Sequence, residues 1–101
     1  MAVTSKTLFR GAATTSTGTT LYTVPSATTT VISNIAVTNT SGSAGTFTLA
    51  LAGTALHTTT AIAANTTIYI DCKQTLAASQ AITGGASATS INYHISGVEV
   101  A

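Results

Sequence analysis

The chain has 101 residues and only five charged side chains, Lys6, Arg10, Asp71, Lys73 and Glu99, for a net charge of +1. Thr, Ala and Ser number 24, 18 and 10, so three small residue types fill 52 of the 101 positions. That balance excludes phosphate-backbone binding driven by counterion release, which needs a basic stripe, and the length fits one domain.

In chain order, residues 1–18 carry no turn-flanked alternation beyond a short extended stretch at Lys6–Phe9, and they are expected to form an extended N-terminal arm. A domain over residues 19–101 follows. Thr19–Val24 reads as a short strand. In Thr30–Thr38 the alternation places Val31, Ile35 and Val37 on one face. Thr46–Ala52 sets Phe47, Leu49 and Leu51 against Thr46, Thr48, Ala50 and Ala52, the period of a half-buried strand. In Thr66–Lys73, Ile68, Ile70 and Cys72 oppose Thr67, Tyr69, Asp71 and Lys73. Ala81–Thr83 is another short strand. Ser90–Val100 opens with Ile91, Tyr93 and Ile95 in phase and then shifts to Val98 and Val100, which predicts a bulge at Gly97. Turn signals at Thr17-Gly18, Pro25-Ser26, Ser41–Gly45, Ala63–Asn65 and Gly84-Gly85 punctuate the strands. Ala61–Ala64 and Ala77–Ala81 have no helical period. The expected fold is all-β, a single antiparallel β-sandwich of seven to eight strands.

Beyond the 18 Ala there are 27 larger apolar residues, enough for one core. The folded surface should be on the order of 5,000 Å², or about one charge per 1,000 Å². That is sparse for a free domain, and the expected resolution is burial against other subunits. The start of the chain has no apolar core of a signal peptide. No segment approaches the roughly 18 apolar residues of a membrane helix. A single cysteine, Cys72, excludes an internal disulfide and points to assembly in a reducing compartment. Thr-x-Thr recurs at uneven steps, against the fixed period of an ice-binding solenoid.

Chemistry-bearing residues are few. Zinc would need three or four Cys, His or Asp ligands, and alternation sends adjacent Asp71 and Cys72 to opposite faces, so no metal or cofactor is expected and Cys72 reads as a small buried hydrophobe. No nucleophile elbow is present, and Asp71 and Glu99 are the only acids, so no enzymatic activity is expected. Asn39-Thr40-Ser41 and Asn65-Thr66-Thr67 match the glycosylation pattern at chance frequency. His94, in phase with Asn92 and Ser96, faces solvent or a neighbouring subunit. Tyr22, Tyr69 and Tyr93 read as sheet-packing or interface residues.

Several strings occur together: Thr20-Leu21-Tyr22-Thr23-Val24-Pro25, then Thr30–Thr40, Ala63-Ala64-Asn65-Thr66-Thr67, Leu76-Ala77-Ala78, and the ending Ile95-Ser96-Gly97-Val98-Glu99-Val100. Their order, over Thr19–Val100, resembles a group of small tailed-bacteriophage virion proteins. The resemblance implies a jelly-roll-like β-sandwich, with an immunoglobulin-like one as second choice, in a virion assembled in the bacterial cytoplasm. It carries over no catalytic residues. A chain that begins with Met, ends just after the motif and lacks coiled-coil heptads fits a stand-alone subunit better than a fibre module. The expected role is a capsid decoration (cement) protein that stabilises the head shell, with a small tail or tail-tip subunit, such as a host-binding adhesin module, as the alternative. Expected partners are the major capsid protein or tail proteins and further copies of the chain, a trimer being favoured, with neither nucleic acid nor membrane. The expected interface residues are Lys6, Leu8, Phe9 and Arg10 on the arm, and Tyr69, Tyr93 and His94 on the sheets.

Overall fold

The computed structural model describes residues 3–70 and 73–101. Asp71 and Cys72, and the expectations attached to them, lie outside the described residues. The described chain forms nine strands: β1 (Val3–Ala12), β2 (Thr20–Thr23), β3 (Thr29–Asn39), β4 (Gly45–Leu51), β5 (Thr54–Ile62), β6 (Thr66–Ile70), β7 (Gln74–Leu76), β8 (Ala81–Ala86) and β9 (Ile91–Val100). The β-branched Thr, Val and Ile that dominate these segments suit a pleated, half-buried surface.

Two antiparallel sheets result. One has the order β1-β9-β3-β6, with β7 also paired to β3; the other is β2-β8-β4-β5. The pairing is nested: β1 with β9, β2 with β8, β3 with β6 and β7, β4 with β5. A single long hairpin with its tip at Ala52-Gly53 is thus rolled up until β9 also meets β3 and β8 also meets β4. That is a jelly roll. In an immunoglobulin-like sandwich the last two strands share a sheet, whereas here β8 and β9 lie in opposite sheets.

The core lies between the sheets. Alternation along β4 buries Phe47, Leu49 and Leu51, and β9 contributes Ile91, Tyr93 and Ile95. The solvent-accessible surface is 5007 Å², as the mass scaling predicts, on a body of 45 × 21 × 18 Å. Asn39 is buried at the end of β3, donating its amide to the Ser43 and Ala63 carbonyls and accepting from the Ser41 N–H. Its side chain ties two loops together and presents no free amide for a glycan.

Several expectations need correction. Among the described residues the strands number nine, not seven to eight, because β5 and β7 carry no clean alternation; β6 and β7 pair with successive stretches of β3 and together occupy one place in the roll. The segment set apart as an arm is extended, but Val3–Ala12 is an edge strand of the sandwich, paired along β9 from Val3↔Val100 to Ala12↔Asn92. Burial of Leu8 and packing of Phe9 against the core hold it there. The link to β2 is tied as well: Ala13 donates to the Ile91 carbonyl and Ala86 to that of Thr14.

On β3, Ile32 rather than Val31 joins Ile35 and Val37 in the core, because the register shifts between Ile32 and Asn34. The face of β9 does not switch at Gly97. The irregularities lie on its two neighbours, near Leu8 of β1 and Ser33 of β3, while Gly97 and Glu99 continue the inward phase of Ile95. Gly84-Gly85 is not a turn but the interior of β8. A Cβ on Gly85 would overlap the Ser16 backbone, and one on Gly84 would come within 2.5 Å of the Thr48 carbonyl oxygen. Close backbone approach, not a turn, accounts for the glycines.

Candidate functional site

The roll divides the side chains into an inner set and two outer faces, and the polar residues sort accordingly. At one end of the sandwich, inward-facing Glu99 of β9 accepts hydrogen bonds from the Tyr22 hydroxyl of β2 and from Lys6 Nζ of β1, the latter at 3.3 Å. Tyr22 Oη also lies 2.8 Å from Thr30 Oγ1 of β3. The cluster therefore connects the edge strand β1, the centre of one sheet and the edge of the other. Glu99 is 14% exposed and Lys6 47%. The Tyr22 hydroxyl and the Lys6 ammonium hold the Glu99 carboxyl below its ordinary value of 4.5, while burial and the Glu99 carboxylate raise Tyr22.

Chemically this is a latch. Glu99 is the sole acidic side chain among the described residues. A carboxyl whose folded pKa is depressed contributes stability above its unfolded pKa and loses it as pH falls through the folded value. Thermal melts from pH 7 down to pH 2.5 should therefore show the advantage of the wild type over Glu99→Gln shrinking below about pH 4.5. A difference between the two that stays constant across that range would contradict the latch.

Three residues expected at an interface are not on the outer surface. Tyr93 is fully buried, its ring edge-on to Phe47 and its one hydroxyl proton shared between the carbonyls of Thr48 and Gly85, 2.9 and 2.8 Å away. Burial pushes its phenol up to about 12. It occupies the phase of Ile91 and Ile95, so its alternation puts it in the core. Leu8 is buried in the same cluster and Phe9 packs against it. Lys6 is engaged by Glu99. His57 leans on Phe47 with ring centroids 5.2 Å apart and its Nδ1 3.2 Å from Thr60 Oγ1.

Arg10, His94 and Tyr69, by contrast, are brought together. The register pairs Arg10 with His94, His94 with Ala36, and Ala36 with Tyr69. They form one lateral row across β1, β9, β3 and β6 on the outer side of the sheet, and all but Ala36 are exposed, Tyr69 by 74%. Towards one end of the same face, the register aligns Val3 with Val100, and Val98 with Val31. The outer face of the other sheet is different in kind: Thr20 pairs with Thr83, Thr83 with Ala50, and Ala50 with Ala55. Its Thr run gives way to Ala, so no continuous Thr grid of the sort an ice-binding face needs is formed across that row.

A depression of about 120 Å³ lined by Leu51, Thr54, Ala55, Leu56 and Gln74 carries no charged group. Among the described residues no group of three His, Cys, Asp or Glu is placed to hold a metal ion, and no helix is long and apolar enough to cross a membrane. The sequence matches no protein-family model and no curated protein.

Proposed function

We propose that the chain is a structural subunit of a tailed-phage virion, a decoration protein that binds the head shell through its sheet surfaces and acts without catalysis. The observation that carries this reading is the distribution of its surface: a jelly roll of 45 × 21 × 18 Å whose outer faces, among the described residues, hold almost no charge and whose polar side chains are largely hydroxyls. Such faces lose little hydration on contact, because few ions have to be stripped of water. Sequence supports the reading through the ordered strings between Thr20 and Val100, which fall on β2, β3, β6, β7 and β9 and the turns beside them. Repetition over a shell makes even weak single contacts sufficient, since each further contact raises avidity without new chemistry.

Quantitative mass spectrometry of gradient-purified particles tests this. A decoration protein appears in a fixed ratio to the major shell protein, whereas a tail subunit appears at a few copies per particle. Absence of the chain from particles would overturn the reading.

A further inference from the structure

Which face docks, and onto what, can be argued from the asymmetry between the two outer faces. We infer that the outer face of the β1-β9-β3-β6 sheet, centred on the Arg10–His94–Ala36–Tyr69 row, is the docking surface for an acidic, carboxylate-bearing protein surface. The inference rests on the reading above, in which that partner is the shell.

Three observations carry it. First, the face holds the features that mark interfaces: an Arg and a Tyr, the residue types over-represented among energetic anchors, beside exposed Val3 and half-buried Val31, Val98 and Val100. Tyr69 and Val3 are the exposed large hydrophobics of the described residues, at 74% and 66%, and both lie on this face. The opposite face offers Thr, Ala and Gly. Second, among the described residues the formal charge placed on this face by the strand registers is the positive one of Arg10. Among the described residues Arg10 has no ion pair, and the one acidic side chain, Glu99, faces inward and is held by Lys6 and Tyr22. A second copy of the chain docking face to face would bring Arg10 against a face on which no described acidic side chain meets it. A carboxylate-bearing partner supplies what is missing.

Third, the size is right for a partner met many times. Strands of ten, ten, eleven and five residues, rising about 3.4 Å per residue and set about 4.8 Å apart, present about 590 Å². That is under the roughly 800 Å² per partner of a stable single interface, so the contact suits repetition over a lattice rather than one tight complex.

The test uses full-length protein added back to particles purified from a strain deleted for this gene, with occupancy read by quantitative mass spectrometry. Arg10→Glu and Tyr69→Ala, both at exposed positions and checked for unchanged melting temperature, should each lower apparent affinity about tenfold or more. Wild-type binding should also weaken as NaCl rises from about 50 to about 500 mM. The charge-matched control Thr20→Glu/Ala55→Glu on the opposite face should bind within about twofold of wild type. Binding that is lost in the control but kept in Arg10→Glu and Tyr69→Ala would overturn the face while leaving the virion role standing. Binding that Tyr69→Ala abolishes on glycans and not on particles would replace the acidic protein by a sugar. Wild-type protein that never binds particles would overturn the virion role, and the inference with it.

Discussion

Tyr93→Ala is expected to lower the stability of the protein by about 3–5 kcal/mol, the range for deleting a large buried aromatic ring. A domain of this size has about 5–15 kcal/mol in all, so the variant should melt about 15–30 °C lower and be partly unfolded near 37 °C. The ring lies in the centre of the sandwich, edge-on to Phe47 at 6.4 Å, and its hydroxyl reaches across from β9 to the Thr48 and Gly85 carbonyls of the opposite sheet. Tyr93→Phe separates the two contributions: it keeps the ring and removes the only hydroxyl donor those carbonyls receive from Tyr93, at a cost of about 1–2 kcal/mol.

The same pair of variants has a pH signature. The phenol is pushed up to about 12 by burial, so the folded state favours the neutral form. Its contribution is complete below the unfolded value of about 10 and is lost as pH rises towards the folded one. Wild-type stability should fall between about pH 10 and pH 12, and that fall should be shallower in Tyr93→Phe; the raised Tyr22 leaves part of it in place. Equal alkaline limbs in the two proteins, measured by chemical denaturation, would contradict the buried position.

Gly97→Ala is the second large effect, and its cause is opposite: overfilling rather than a void. A Cβ at Gly97 would overlap the Val31 carbonyl oxygen, lie 3.0 Å from Leu8 Cδ1 and 3.3 Å from Ile32 Cα. The overlapped atom is backbone, in a strand that pairs with β9 along its whole length, so it cannot swing aside as a flexible side-chain end does. Overpacking costs about 1–3 kcal/mol and more where backbone has to move, and we expect about 3 kcal/mol here. Gly42→Ala, where nothing lies within 4 Å, should change stability by less than about 0.5 kcal/mol. If Gly97→Ala were as mild as Gly42→Ala, the close approach of β3 to β9 would be wrong.

The strands that sequence reading recovers are those that bury one face without interruption. Phe47, Leu49 and Leu51 of β4, and Ile91, Tyr93 and Ile95 of β9, repeat every second residue because each points between the sheets. β5 escapes detection because its register to β4 shifts between Phe47 and Leu49 and again between Leu49 and Ala50. Its inward residues, Leu56, His57, Thr60 and Ile62, therefore follow no period. Val31 is misassigned for the same reason, since the irregularity near Ser33 moves Ile32 inward instead. Glycine pairs are read as turns because turns are where they are commonest; Gly84 and Gly85 are instead needed where Thr48 and Ser16 come close.

The candidate site is less legible still. Exposure of Tyr69 and His94 follows from alternation, and Tyr93 could have been placed in the core by the same rule. That Arg10, His94 and Tyr69 share one row depends on how β1 and β3 register against β9, and both registers pass through irregularities that no local pattern announces. The latch is equally hidden. Lys6 and Glu99 are 93 positions apart, and only the closing of the first strand onto the last brings them together.

If the outer faces are covered in a virus particle, as proposed, the chain holds a fixed position there. Electron cryomicroscopy of intact particles, set against particles from a strain deleted for the gene, would locate the difference density. Repeated densities of about 45 × 21 × 18 Å are expected on the outside of the head shell, with the β1-β9-β3-β6 sheet turned towards it. Particles that show no difference density would overturn the virion role.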